Sequence, residues 1–152
     1  MCEGDSQNLL TAHHALAFNR DDSEQGMAAF HSRLTAAILK DFPSAVRLVR
    51  DHFPRYLDRL PGDLLFRFGV AFYQEDDIEK ARRCLELAAG REGSWQPKAM
   101  LLVSRTYEDK GNVRRAIAVI KDLLARKPEK TFRCQALKRL MKLQPRGERT
   151  PF

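Results

Sequence analysis

Apolar residues recur at every third or fourth position along nearly the whole chain after residue 6, which is the spacing of one face of an α-helix. No segment alternates apolar and polar residues between turn residues, so the pattern predicts no β-strand. The earliest apolar stripe, within residues 9–17, predicts a short helix over residues 6–18. We therefore expect an all-α fold.

A longer apolar stripe between Met27 and Leu39 predicts a second helix, which should end near Phe42. Pro43 suits the first turn of a third helix, because a residue there needs no backbone N–H. Pro54 should kink or restart that helix. The Leu60-Pro61-Gly62 sequence then separates an N-terminal region, residues 1–61, from the rest of the chain.

The second half of the chain contains an internal repeat, in which residues 62–95 align with residues 97–130 at an offset of 35. Each unit has a small residue on its first helix and an alanine on its second, which lets the two helices approach closely. The aligned positions are Leu65, Phe68, Gly69, Phe72, Ala81, Leu85 and Ala88 in the first unit and Met100, Val103, Ser104, Tyr107, Ala116, Ile120 and Leu123 in the second.

The turns inside the two units also predict specific conformations. Gly111 suits a left-handed residue at the end of a helix, because glycine has no Cβ to oppose a positive φ. Asp77 and Asn112 are expected to cap the helices that follow, since their side-chain oxygens can accept from free N–H groups. Each unit is thus predicted to be a helix hairpin.

These positions resemble the tetratricopeptide repeat, in which large apolar, small, aromatic and alanine positions follow in this order. The first unit departs from that pattern by ending in Gly93 rather than proline, and Leu123 replaces a small alanine in the second. A helix over residues 131–143 resembles the terminal helix that covers the last apolar face of such arrays.

The resemblance implies a right-handed superhelical stack of antiparallel helix hairpins. Residues 62–144 would hold the two repeats and the capping helix, and residues 145–152 a flexible tail. Residues 1–61 would form an N-terminal helical extension or a degenerate third repeat.

The resemblance also implies a concave groove lined by the first helix of each hairpin and by the capping helix. At its N-terminal end the expected residues either line the groove or form core beneath the N-terminal helices. One subclass of these repeats binds a C-terminal carboxylate with a Lys and an Asn. Phe66 and Val70 occupy those positions here, so the sequence lacks this carboxylate clamp. The expected groove residues are Phe66, Val70, Tyr73, Lys98, Leu101, Arg105, Phe132, Gln135 and Arg139.

Such a groove, apolar at one end and basic at the other, predicts an adaptor or chaperone-like protein that binds a peptide or helix with apolar anchors and acidic residues. Charge keeps a second hypothesis open. Residues 110–152 contain thirteen Lys or Arg against three Asp or Glu, which would suit nucleic acid, although no nucleic-acid-binding motif accompanies them. Assembly of several copies through apolar end faces is the third hypothesis.

Nothing in the sequence indicates catalysis, and we expect no enzyme activity, metal or cofactor. His13 and His14 are adjacent, so they would point about 100° apart on a helix rather than toward one metal ion. The three cysteines are widely spaced, and Cys84 falls among apolar repeat positions, where packing is the expected role. Charged residues interrupt every apolar run, so we expect no membrane span. Residues 1–8 lack the basic and apolar segments of a secretory signal, so we expect a cytoplasmic protein.

Overall fold

The computed structural model describes residues 24–147, and every regular element within that range is helical. The all-α fold is therefore confirmed. The predicted helix over residues 6–18 and residues 148–152 of the predicted tail lie outside the described range. The helices are α1 (Glu24–Lys40), α2 (Phe42–His52), a short 3-10 helix (Leu57–Arg59), α3 (Gly62–Gln74), α4 (Ile78–Ala89), α5 (Gln96–Asp109), α6 (Val113–Ala125) and α7 (Lys130–Gly147).

The chain divides into two compact units after Asp58. In the first unit α1 packs against α2. Helix α1 ends at Lys40 rather than near Phe42, because Asp41 leaves the helical conformation and accepts a 2.7 Å hydrogen bond from the Ser44 N–H as the cap of α2. Pro43 stands in the first turn of α2, as predicted.

In the second unit each helix packs against the next one along the chain, α3 against α4 and so on to α7. Helices α3 and α4 form the first predicted hairpin, α5 and α6 the second, and α7 covers α6. This arrangement confirms the stack of tetratricopeptide-like hairpins.

The two hairpin turns have the same geometry at an offset of 35 residues. Gly111 has a φ of +80°, as predicted, and Asp76 takes a φ of +66° at the aligned position of the first unit. The next N–H in each turn donates back to the aromatic repeat position, Asp77 to the Phe72 carbonyl at 2.9 Å and Asn112 to the Tyr107 carbonyl at 2.8 Å. The two units therefore match in their backbone hydrogen bonds as well as in their sequence.

Close helix approach occurs where the small residues predict it. An added methyl group at Gly69 would lie 2.6 Å from Leu85 Cγ across the α3/α4 contact. The aligned Ser104 is fully buried, as are Ala81 and Ala116 on the partner helices. At Gly69 the position of Leu85 leaves no room for a side chain.

Trp95 packs in the seam between the two repeats. Its ring lies against the backbone of Gly62, where an added Cβ would collide with the indole Cζ2, and its Nε1 donates to the Ala88 carbonyl at 3.0 Å. The indole therefore contacts the start of α3 and the end of α4 at the point where α5 begins. These contacts help to fix the spacing of α3 and α5.

Helix α7 is longer than the predicted segment 131–143, since it begins at Lys130 and continues through Pro145 to Gly147. Ala136 and Leu143 are fully buried. Leu137 and Met141, in contrast, are 45% and 71% exposed. The helix therefore covers the stack with one face and leaves another face open.

The two cysteines in the described range should differ in reactivity. Cys84 is fully buried on α4, and burial raises the pKa of its thiol to about 12, whereas Cys134 on α7 is exposed. Thiolate forms only as the pH approaches the pKa, so Cys84 stays protonated from pH 7 to 9. We expect maleimide to label Cys134 in the native protein and Cys84 only after unfolding, as mapped by peptide mass spectrometry. Equal native labelling of both would contradict the packing of α4.

Candidate partner-binding groove

A concave pocket of about 540 Å³ lies in the second unit. Helices α3, α5 and α7 contribute its walls, and these are the first helix of each hairpin and the capping helix. Helices α3 and α5 are each followed by a helix that packs against them, and α7 contacts both α6 and α5. The lining residues are Phe66, Lys98, Leu101, Leu102, Arg105, Gln135, Lys138, Arg139 and Lys142.

The apolar part of the pocket consists of Phe66 from α3 and Leu101 and Leu102 from α5. All three side chains are half-buried, so they retain apolar surface that a bound side chain can remove from water. The other six lining residues are the neutral Gln135 and five cations, which form the rim: Lys98, Arg105, Lys138, Arg139 and Lys142. The pocket therefore combines an apolar floor with an ionic rim.

The charges on the rim are all positive. Lys98, Arg105, Lys138 and Lys142 are exposed, and none of them forms an ion pair with a described carboxylate. No Asp or Glu of the described range lines the pocket. Mutual repulsion of these cations is therefore unrelieved by ion pairs within this part of the chain, and the pocket favours an anionic ligand.

Arg139 is the exception among the lining cations. Its Nη2 donates to Glu108 Oε1 at 2.6 Å, and the two side chains are only 11% and 18% exposed. Its Nε donates to Ser104 Oγ at 3.3 Å, and that hydroxyl in turn donates to the Ala116 carbonyl at 2.9 Å. Arg139 thus joins α7 to α5 and its charge is already neutralised.

Removing this link should destabilise the protein. Arg139→Met removes the ion pair between Arg139 and Glu108, whose side chains are only 11% and 18% exposed, so we expect the free energy of unfolding to fall by about 2 to 3 kcal/mol. Urea denaturation followed by circular dichroism measures the change. Lys138→Met is the matched control and should shift stability by less than about 0.5 kcal/mol, because Lys138 is exposed and pairs with no carboxylate in the part of the chain that the structure describes. Equal effects of the two substitutions would show that the buried pair adds nothing.

Six of the nine predicted groove residues line this one pocket, while Val70, Tyr73 and Phe132 do not. Tyr73 is occupied elsewhere, since its hydroxyl donates to Asp109 Oδ2 at 2.6 Å. Burial, and after it this hydrogen bond, raises the pKa of Tyr73. Val70 and Phe132 are half-buried outside the pocket.

The sequence reasoning missed Leu102, Lys138 and Lys142. The two lysines carried a usable signal, because they follow the predicted Gln135 by three and seven residues and therefore share its helical face. Leu102 is adjacent to the predicted Leu101 and points about 100° away from it on an ideal helix. Only a wide groove brings both leucines into one lining.

No group of three or more His, Cys, Asp or Glu within residues 24–147 is arranged to hold a metal ion. Among the helices of that same range, none is both long enough and apolar enough to cross a membrane.

Comparison with known proteins identifies no family for this chain. No family model matches it, and no curated protein is similar to it. Among solved structures it is similar to a Podosopora anserina protein named for the kinesin light chains, which has nearly identical TPR-like repeats. The similarity has a TM-score of 0.46 at 14% sequence identity and covers 94% of this chain and 85% of that one.

Proposed function

We propose that this protein is a protein-interaction scaffold, adaptor or chaperone-like in its action, whose groove holds a segment of another protein with apolar anchors and acidic residues. The observation that carries the proposal is the set of four cations around an apolar floor, none of which pairs with a carboxylate within residues 24–147. A segment with both kinds of side chain would remove apolar surface from water and neutralise the rim at the same time. That the protein works in the cytoplasm stays a prediction.

The walls of the groove are preorganised, which lowers the cost of binding. All nine lining residues lie on helices, and the Arg139–Glu108 pair together with Ser104 ties α7 to α5 before any partner arrives. A partner segment therefore spends little of its binding free energy on ordering the protein. The positive rim should also speed encounter with acidic partners, an effect that weakens as salt rises.

A photo-crosslinking experiment in the source cells tests this proposal. A photoreactive phenylalanine analogue at position 102 probes the groove, and the same analogue at position 137 probes an exposed site on α7 outside the pocket lining. Adducts are digested with and without nuclease and identified by mass spectrometry. We expect one protein to be captured at position 102 and not at 137, through a segment that contains acidic and apolar residues.

Three other outcomes would contradict the proposal. Adducts at position 102 that consist of nucleic acid and disappear with nuclease would assign the cations to nucleic-acid binding. Adducts between two copies of this chain would indicate assembly of the scaffold with itself. Identical adducts at positions 102 and 137 would show that the groove binds no partner more specifically than the exposed surface of α7 does.

A further inference from the structure

The lining of the groove offers many hydrogen-bond donors and almost no acceptors. Lysine and arginine side chains can only donate, and no Asp or Glu of the described range lines the pocket. The backbone of every lining residue lies inside a helix, so its carbonyl is already used in the helical ladder. Among the lining residues that the structure describes, Gln135 alone has a side-chain acceptor atom, its amide oxygen.

This imbalance matters for the backbone of a bound segment. An extended segment presents one N–H and one carbonyl per residue, and those facing the floor lose contact with water. Its carbonyls would find lysine and arginine donors, but its N–H groups would find only the Gln135 oxygen. Buried N–H groups without partners weaken binding, so an extended segment is poorly suited to this groove.

A helical segment avoids the problem, because its N–H and carbonyl groups satisfy one another. Resting on the proposed function, we infer that the groove binds its partner as an acidic amphipathic α-helix and selects against extended segments. The apolar stripe of that helix would contact Phe66, Leu101 and Leu102. Acidic residues on its two flanks would meet the cations of α5 on one side and those of α7 on the other.

The spacing of the cations supplies a register for these acidic residues. Lys98 and Arg105 are seven residues apart on α5, a rise of about 10 Å at about 1.5 Å per residue. Lys138 and Lys142 are four residues apart on α7, a rise of about 6 Å. A ligand helix that follows these axes matches the cations with acidic residues seven apart on one flank and four apart on the other.

Two peptide display libraries test the inference on the full-length protein. Both use peptides of about 18 residues with the same numbers of Leu, Phe, Glu, Asp, Ala and Gln, long enough for several helical turns. In one library apolar residues follow the three- and four-residue spacing of a helix, and in the other they alternate as in a strand. The best binders from each are measured by fluorescence polarisation against the native protein and against Leu101→Asp.

We expect the helix-patterned binder to bind at least about tenfold more tightly than the strand-patterned one and to gain helical circular dichroism on binding. A proline in the middle of that peptide should weaken its binding at least about tenfold, since proline breaks the helix. If the strand-patterned peptide binds as tightly and Leu101→Asp weakens it, the inference fails and the proposed function stands. If neither library yields a binder sensitive to Leu101→Asp, both fail.

Discussion

Gly69→Val should lower the free energy of unfolding by about 3 kcal/mol, because the new Cβ would lie 2.6 Å from Leu85 Cγ and 2.7 Å from its Cδ2. Both residues belong to the tight contact between α3 and α4, where Leu85 is fully buried. Valine has a slightly better helix propensity than glycine, which offsets only a few tenths of a kcal/mol. The net effect is therefore overpacking of the first repeat.

Urea denaturation of the wild type, Gly69→Val, Leu85→Ala and the double variant separates this clash from a general loss of stability. Leu85→Ala alone should cost about 3 kcal/mol, since it leaves a cavity in the core. The double variant should be more stable than the sum of the two losses predicts, by at least about 1 kcal/mol, because the smaller residue makes room for valine. Strict additivity would mean that Gly69 and Leu85 do not limit each other.

Leu101→Asp should weaken binding of the helix-patterned peptide by at least about thirtyfold, corresponding to about 2 kcal/mol. Leu101 is half-buried on the groove floor, and aspartate there both removes an apolar contact and places a carboxylate beneath an acidic ligand. Fluorescence polarisation measures the affinity. Circular dichroism checks that the variant is folded.

The matched control is Met141→Asp, which introduces the same charge on the same unit. Met141 is 71% exposed on α7 and does not line the pocket, so peptide affinity should change less than about threefold. A comparable loss in both variants would place the binding surface on the open face of α7 instead of in the groove.

Not every cation that lines the groove can attract a ligand, because Arg139 is already paired with Glu108. By helical spacing Arg139 belongs with the other lining cations, and the sequence analysis included it as one of them. In the structure it is the cation that is neutralised by Glu108, while Lys138 beside it pairs with no described carboxylate. Arg139, which joins α7 to α5, is therefore adjacent in sequence to Lys138, one of the cations that can attract a ligand.

The sequence by itself determined the all-α class, the offset of 35, the tight positions at Gly69 and Ser104 and the caps at Asp77 and Asn112. These features depend on local physics. Helical periodicity sets which residues share a face, small side chains permit close approach, and a cap needs only an oxygen within three residues. Because the same residue pattern occurs in both repeat units, each unit supports the prediction made for the other.

Only the tertiary structure decided which predicted groove residues are free to contact a ligand and which are engaged by other side chains of the protein. The Arg139–Glu108 pair joins residues 31 apart in sequence, and the Tyr73–Asp109 hydrogen bond joins residues 36 apart. Such partners depend on how far α3, α5 and α7 stand from one another, which local spacing does not specify. The same packing brought Leu101 and Leu102 into one lining, although adjacent residues point in different directions on a helix.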